Sequence, residues 1–174
     1  MSTPVSSDHG ASSVTPVDPS PVPRCAVAAG FRPRRGYFGV ALWQPKTTEN
    51  LGGVMRNAHA FGASFVVLIG ARYRKQASDT PHATKHLPLW EFETLDDFVV
   101  LRPMDCEIVR VETDGSKSLP KFTHLDRAVY LFGGEDRTLP TGIGERSVRI
   151  DCGCLNLATV TGVVLYDRHA KRVS

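Results

Sequence analysis

A single arginine inside a short helical segment is the first candidate for chemistry in this sequence. Residues 50–62 open with Asn50, whose short amide can cap a helix, and close with Gly62, which can adopt the left-handed conformation that ends one. Arg56 lies between them, and we predict a helix over residues 50–61. A cation near the start of a short helix suits an anionic or polar substrate group. A solvated arginine on a surface helix explains the same pattern, because charged side chains are mostly exposed.

Glycines and polar side chains also follow a predicted strand and precede the last predicted helix. Residues 128–132 form a continuous apolar run, which is typical of a buried strand. Gly133, Gly134 and Glu135 come directly after it. The glycines let the backbone approach a ligand closely, and the carboxylate can accept backbone N–H groups or pair with a nearby arginine. Asn156 lies at the start of the last helix, where it can bond a loop carbonyl or a substrate.

A basic loop is the candidate for contact with nucleic acid. Arginine and lysine side chains bind phosphates, and an aromatic residue among them can stack on an unpaired base. Tyr73 is that aromatic residue. A charged stretch is also a common feature of a solvated surface. The basic candidates are Arg72, Arg74, Lys75 and Lys85.

Strand-like and helix-like segments alternate from Tyr37 onward, which predicts an α/β domain with a largely parallel sheet. Residues 1–36 are rich in proline and serine and end in a basic patch, so we predict a disordered tail followed by one domain over residues 37–174. The predicted strands are Tyr37–Trp43, Phe65–Ile69, Leu87–Phe92, Glu107–Val111, Ala128–Phe132 and Ser147–Ile150, and the predicted helices are residues 50–61, 94–101 and 155–172.

Composition narrows the functional class. The chain has 174 residues and a formal net charge of +3, which permits RNA binding without demonstrating it. No apolar run approaches the roughly 20 residues of a membrane helix, and the first residues lack the pattern of a secretory signal. Cys152 and Cys154 are closely spaced, but no nearby histidine or C-x-x-C completes a zinc site. We therefore expect a cytoplasmic protein with reduced thiols, no metal, and an inert, buried Cys154.

Three segments resemble, in order, the sequence motifs of the SpoU/TrmH family of RNA methyltransferases, the SPOUT class. Residues 50–62 meet every fixed position of the first motif, N-x-G-x-x-x-R-x-A-x-A-F-G. Residues 128–140 resemble the second motif, a buried strand that runs into a glycine-rich loop, and residues 154–167 resemble the third. The resemblance covers roughly residues 37–172.

The chain departs from these motifs at a few positions. Thr138 stands where the second motif has a glycine, and Cys154 and Ala158 stand where the third has serines. These residues belong to the cofactor and substrate loops. They bear on the choice of substrate more than on the fold.

The resemblance implies a SPOUT fold, in which a largely parallel sheet has helices on both faces and a C-terminal deep trefoil knot holds S-adenosylmethionine. It implies transfer of a methyl group to a ribose 2′-hydroxyl of tRNA or rRNA. Arg56 would be the catalytic cation, supported by Asn50 and Glu135. The protein would be a homodimer whose active sites are completed across the interface. The residues placed at the cofactor are Leu131, Phe132, Gly133, Gly134, Ile150, Cys154, Leu155 and Asn156.

Other interpretations share these features. An RNA-binding protein of the same fold with a decayed catalytic site is compatible with Thr138 and Ala158. A methyltransferase acting on a base nitrogen would need a carboxylate near the substrate, and Asp136 and Asp151 are the nearby acids. The last predicted helix is rich in apolar residues, which favours a dimer interface, although a buried core helix has the same composition. An open doubly wound sheet is disfavoured, because no G-x-G-x-x-G follows a predicted strand.

Overall fold

The computed structural model describes residues 36–73, 85–103, 105–134 and 136–173. Within these residues the chain forms seven strands and three α-helices. The strands are β1 Tyr37–Trp43, β2 Phe65–Ile69, β3 Leu89–Phe92, β4 Glu107–Val111, β5 Lys117–Ser118, β6 Arg127–Gly133 and β7 Arg146–Arg149. The helices are α1 Thr48–Ala60, α2 Leu95–Leu101 and α3 Leu157–Val173, and a short 3₁₀ helix spans Leu119–Lys121.

The strands form one sheet in the order β3-β2-β1-β6-β4-β7-β5, and every pairing is parallel. β1 lies between β2 and β6, with Gly39 opposite Phe65 on one side and Tyr37 opposite Arg127 on the other. Strands buried on both faces are continuously apolar, as the FVVLI run of β2 is. The predicted α/β fold with a parallel sheet is confirmed.

Helices cover both faces of this sheet, as predicted. Successive side chains of a strand point to opposite faces, so each strand feeds two cores. Val40 and Leu42 of β1 pack with α1 and α3, whereas Ala41 packs with Phe98 of α2. All four side chains are 0% exposed.

A buried polar network ties α3 to β6 on the first of these faces. The Arg168 guanidinium is 2% exposed; it donates to the Leu125 carbonyl at 2.7 Å and to the Tyr130 hydroxyl at 2.9 Å. His124 lies 2.6 Å from that hydroxyl through Nδ1 and 2.8 Å from the Asp167 carboxylate through Nε2. Burial lowers the pKa of His124 and raises the pKa of Tyr130 to about 12. A neutral imidazole with its proton on Nε2 satisfies both contacts.

The predicted element bounds agree with most of the structure. β1, β2 and β4 have the predicted limits, and the other predicted strands and helices differ by one or two residues at one or both ends. β5 was not predicted, because two residues carry no recognisable periodicity. The predicted tail, residues 1–36, lies outside the described residues except for Gly36. None of the described helices has the length and apolar character needed to cross a membrane.

Of the two residues predicted to cap α1, Asn50 at its start is wrong and Gly62 at its end is confirmed. Asn50 is not the N-cap: the helix begins at Thr48, and Asn50 lies inside its first turn. Its side chain bonds Thr47 and Asn156. Gly62 does end the helix, with φ of 76°. Its N–H donates to the His59 carbonyl at 3.1 Å, a bond typical of a glycine-terminated helix.

Candidate functional site

A cavity of about 320 Å³ lies at the carboxyl ends of β4 and β6 and beside the start of α3. Parallel sheets bind ligands at this edge, because the loops that follow the strands meet there. Three loop segments line the cavity together with Leu157 and Val160 of α3: residues 111–113, residues 132–134 with 136–138, and residues 150 and 152–155 between β7 and α3. The second and third segments belong to the regions that resemble the second and third motifs.

The structure brings most of the predicted cofactor residues to this cavity. Leu131 is an exception, because its side chain is fully buried in the core that packs against α2. Asn156 is also outside the lining residues and caps α3 instead. The predicted residues that line the cavity are Phe132, Gly133, Gly134, Ile150, Cys154 and Leu155.

Both glycines after β6 are required by neighbouring backbone. A Cβ atom on Gly133 would lie 2.4 Å from the Arg137 carbonyl oxygen, and one on Gly134 would lie 2.3 Å from the Gln44 carbonyl oxygen. Neither distance is compatible with a side chain. The glycines therefore let the loop fold back over the strand end, whereas the sequence suggested only a close approach to a ligand.

Glu112 is a cavity residue that sequence reasoning missed. It follows β4 directly, and its carboxylate accepts the Leu139 N–H at 2.7 Å. Burial raises its pKa above the ordinary range, against the lowering effect of that hydrogen bond. The contact anchors the loop after β6 to the neighbouring strand. The sequence feature that could have identified Glu112 is a carboxylate directly after a buried strand.

A chain of side-chain hydrogen bonds joins the start of α1 to the start of α3 beside the cavity. Asn156 Nδ2 donates to Asn50 Oδ1 at 2.6 Å, and Asn50 Nδ2 donates to Thr47 Oγ1 at 2.6 Å. Asn156 Oδ1 accepts the Ala158 N–H at 2.9 Å, which is the geometry of an N-cap. The predicted catalytic residue Asn50 and the predicted cofactor residue Asn156 are therefore in direct contact.

α1 and α3 cross at very short range. A Cβ atom on Gly53 would lie 2.7 Å from the Ala158 Cβ, and one on Gly162 would lie 3.0 Å from the Asn57 amide nitrogen. Asn57 Nδ2 also donates to the Ala158 carbonyl at 2.7 Å. The small side chain of Ala158, where the related motif has serine, suits this crossing.

The predicted catalytic residues occupy different surroundings. Arg56 is exposed on α1 and does not line the cavity of its own chain. Asn50 is half-buried and bonds Asn156, the residue after the cavity residue Leu155. Glu135 lies outside the described residues. A site that combines Arg56 with the loops of such a cavity would therefore need two chains, one that supplies Arg56 and one that supplies the loops.

The basic loop is only partly described. Arg72 and Lys85, two of the predicted RNA contacts, are exposed, while Arg74 and Lys75 lie outside the described residues. An Arg72 guanidinium nitrogen lies 4.0 Å from the Glu93 carboxylate. This exposed carboxylate offsets part of the positive charge at that end of β3.

The acids considered for base-nitrogen chemistry both have cationic partners. Asp136 lines the cavity and forms an ion pair with Lys46. Asp151 accepts from the Ser118 hydroxyl and from Arg149 Nε, and these contacts hold its pKa below the ordinary value. A lowered pKa makes a carboxylate a weaker base.

The cysteines differ from expectation. Cys154 was expected to be buried, but it is exposed, and so is Cys152. Both side chains lie in the loop between β7 and α3, at the surface of the cavity. Of the three cysteines that the structure describes, Cys106 is the buried one, and burial raises its pKa to about 11. Among the described residues, no cluster of three or more histidine, cysteine or acidic side chains could hold a metal.

The chain matches a protein family in sequence and several solved structures in fold. The family model described as the SpoU rRNA Methylase family matches residues 37–166. None of the curated proteins matches the chain significantly in sequence.

Solved structures of similar fold include the SpoU methyltransferase AviRb from Streptomyces viridochromogenes, with a TM-score of 0.71 and 22% identity over 81% of this chain and 62% of that one. AviRb has also been solved with the cofactor AdoMet. A structure described as an RNA 2′-O ribose methyltransferase has a TM-score of 0.70 and 17% identity over 86% of this chain and 62% of that one.

A third structure concerns the 2-OH methylation of C/U34 on tRNA. It has a TM-score of 0.69 and 23% identity over 80% of this chain and 92% of that one. The present chain thus spans about three fifths of AviRb and nearly all of this third protein.

Proposed function

Because this chain belongs to the SpoU rRNA methylase family, we propose that it is an RNA methyltransferase that transfers a methyl group from S-adenosylmethionine to a ribose 2′-hydroxyl of tRNA or rRNA. The observation that carries the proposal is the cavity at the carboxyl edge of the sheet. Residues of the second and third motifs line it, and Asn156 beside it bonds Asn50 of the first motif. We place the protein in the cytoplasm, with its RNA substrate.

The cavity suits a nucleoside-containing cofactor. Its volume is near the lower end of the ~300–1,000 Å³ range of small-molecule sites. Phe132, Ile150 and Leu155 supply apolar walls for a base, and the backbone at Gly133 and Gly134 is available for polar contacts. When bound, S-adenosylmethionine would supply a methyl group on a positively charged sulfur.

Arg56 is proposed to stabilise the transition state. A ribose hydroxyl is a poor nucleophile at neutral pH, so negative charge must be stabilised on its oxygen while its proton leaves. The planar guanidinium can orient that oxygen and a neighbouring RNA phosphate at once. An arginine is a poor base, and the phosphate is the better proton acceptor. Asn50 is proposed to position the ribose, with Asn156 holding its amide.

We further propose a homodimer in which Arg56 of one chain meets the cavity of the other. α3 exposes Val163 and Tyr166, whose exposed fractions are 37% and 61%. The Tyr166 ring packs edge-on against Phe61 at the end of α1, so the exposed apolar surface extends over both helices. Exposed apolar surface of this kind favours association. The trefoil knot implied by the resemblance stays a prediction.

Two alternatives are less well supported. For base-nitrogen methylation, the two acids considered, Asp136 and Asp151, both have cationic partners, and the Glu112 carboxylate in the cavity is engaged by the Leu139 N–H. A decayed site was suggested by Thr138 and Ala158. Ala158 is accounted for by the close helix crossing, and Thr138 lines an intact cavity.

Cofactor binding and methyl transfer test the proposal separately. Calorimetric titration of the reduced full chain with S-adenosylmethionine, or with its demethylated product, is expected to show one site per chain. Incubation with RNA from a strain that lacks the protein, followed by nucleoside mass spectrometry, is expected to show a 2′-O-methylated nucleoside. Binding without transfer would favour the decayed site, and absence of binding would overturn the enzyme.

A further inference from the structure

Two exposed thiols line the proposed cofactor cavity. Cys152 and Cys154 are both unpaired and exposed, and Gly153 separates them. All three residues contribute to the lining. The proposed methyl transfer uses neither thiol, so the mechanism leaves the pair unexplained.

The spacing of the pair permits a disulfide. Two residues of fully extended chain span at most about 7 Å, and disulfides need Cα atoms about 4.4–6.8 Å apart. The backbone bends at residues 151–153, which brings Cys152 and Cys154 closer than an extended chain would. A Cβ atom placed on Gly153 would have no neighbour within 4 Å, so the loop has room to adjust.

Cys106 differs from this pair, because its thiol is buried and inert. It is 3% exposed at the start of β4, and its raised pKa keeps it protonated at neutral pH. Only a thiolate attacks a disulfide, and only an accessible one can be reached by a bulky reagent. Among the cysteines that the structure describes, a disulfide reagent is therefore directed to the pair in the cavity, while Cys25 lies outside the described residues.

We propose that Cys152 and Cys154 form a thiol-modification site at which a low-molecular-weight disulfide and S-adenosylmethionine exclude one another. The thiolate of one cysteine attacks a sulfur of the reagent. The reagent's S–S bond breaks, one half leaves as a thiolate that takes up a proton, and the other half stays as a mixed disulfide. Attack by the second cysteine releases the remaining half as a second thiol. Overall the two protein thiols lose two electrons and two protons, and the reagent is reduced to two small thiols.

Each product interferes with the cavity by a different route. A mixed disulfide places a bulky polar group among the lining residues. The internal disulfide constrains residues 152–154, directly before Asn156, which caps α3 and holds Asn50. A thiol reductant is expected to reverse both changes.

This inference rests on the proposed function, because that function identifies S-adenosylmethionine as the ligand that the modification excludes. The full reduced chain is incubated with oxidised glutathione, with and without S-adenosylmethionine, and the cysteine peptides are mapped by mass spectrometry. Modification is expected at Cys152 and Cys154 and not at Cys106. Cofactor at about ten times its Kd should slow the modification roughly tenfold, because only the free protein then reacts.

Calorimetry on the oxidised chain completes the test. Oxidation should lower cofactor affinity at least tenfold, and reduction should restore it. The double variant Cys152→Ser, Cys154→Ser, compared with itself before and after the oxidant, should show no change. If the reduced chain binds the cofactor and the oxidised, mapped chain binds it equally well, only this inference is overturned. Failure of the reduced chain to bind any cofactor overturns the proposed function as well.

Discussion

At the scale of single residues, Arg56 and Asn50 belong to the same motif but have different surroundings. Asn50 is held by Thr47 and Asn156 beside the cavity. Arg56 is exposed on α1, away from the cavity of its own chain. This exposure leaves the guanidinium accessible to a substrate, and an ion pair of an exposed arginine usually contributes little to folding.

Replacement of Arg56 should therefore separate catalysis from folding. Arg56→Ala is expected to lower the rate of methyl transfer by about 10²–10³, as loss of one preorganised charge donor does. Arg56→Lys should fail similarly, because an ammonium lacks the planar fork. Cofactor affinity and thermal stability should stay close to those of the parent. Single-turnover assays with calorimetry measure all three.

Arg146→Ala is the matched control for that experiment. Arg146 is a partly exposed arginine at the start of β7, paired with Glu107 at 3.0 Å and remote from the cavity lining. Its loss should leave turnover nearly unchanged. Near-parental turnover in Arg56→Ala would rule out the assigned role.

His124 should make the stability of the protein depend on pH. Its folded pKa lies below the ordinary value of 6.5, chiefly because of burial. Below pH 6.5 the unfolded chain therefore binds a proton that the folded chain does not. The contribution to stability is present above pH 6.5 and is lost as the pH falls from there toward the folded pKa. Asp167 opposes the shift, while Arg168 and Lys171 support it.

His124→Gln tests this dependence with a side chain that can still donate and accept but does not titrate. Urea unfolding at several pH values between 7.5 and 5.5 gives the slope of the unfolding free energy. The parent should lose stability over this range more steeply than the variant. Equal slopes would show that His124 is not the group responsible.

Sequence reasoning located most of these residues but not their contacts. The motif in residues 50–62 identified Asn50 and Arg56 as a pair, and Asn50 was expected to cap α1. Its actual partner, Asn156, lies more than a hundred residues away in the chain. Cys154 was expected to be buried because a short thiol resembles an apolar residue. Such contacts depend on how distant loops meet, which local sequence does not encode.

At the scale of elements, the crossing of α1 and α3 sets the tightest constraint. The two helices approach at Gly53 and Ala158, where a second Cβ atom would lie at 2.7 Å. The sequence predicted both helices, the first from the residues at its two ends and the last from its apolar content. It did not reveal that they cross at these residues, because two glycines in a helical stretch have several explanations.

Gly53→Ala is expected to destabilise the protein despite its better helix propensity. The overpacking costs about 1–3 kcal/mol and offsets the gain of about 1 kcal/mol from replacing glycine in a helix. Combination with Ala158→Gly should recover part of the loss, because the two Cβ atoms no longer compete. Denaturant unfolding of both single variants and the double variant gives the coupling free energy. Strict additivity would contradict the close crossing.

At the scale of the whole molecule, the exposed surface of α3 decides between a monomer and a dimer. Val164 and Leu165 are buried in the core, whereas Val163 is 37% exposed. A charge at Val163 therefore should not unfold the chain. If α3 forms the interface, the same charge would be buried between two copies at high cost.

Val163→Glu is accordingly expected to dissociate the dimer and abolish methyl transfer, while the chain stays folded. Light scattering measures the mass, and circular dichroism checks the fold. Val100→Glu is the matched control, since Val100 is 78% exposed on α2 and should tolerate the change in every assay. A parent mass near the 19.0 kDa of one chain would overturn the dimer directly.

The position of β1 in the sheet has a consequence for synthesis of the protein. The ribosome makes β1 before its sheet partner β6. Tyr37 pairs with Arg127, which comes about 90 residues later in the chain. At typical rates of about 5–20 residues per second, a ribosome needs roughly 5–18 s to make that stretch. During this interval the nascent chain carries β1 with the backbone N–H and C=O groups of one edge unpaired, and α1 without α3. Unpaired edges and uncovered apolar side chains promote aggregation, so the growing polypeptide is prone to it until β6 is made.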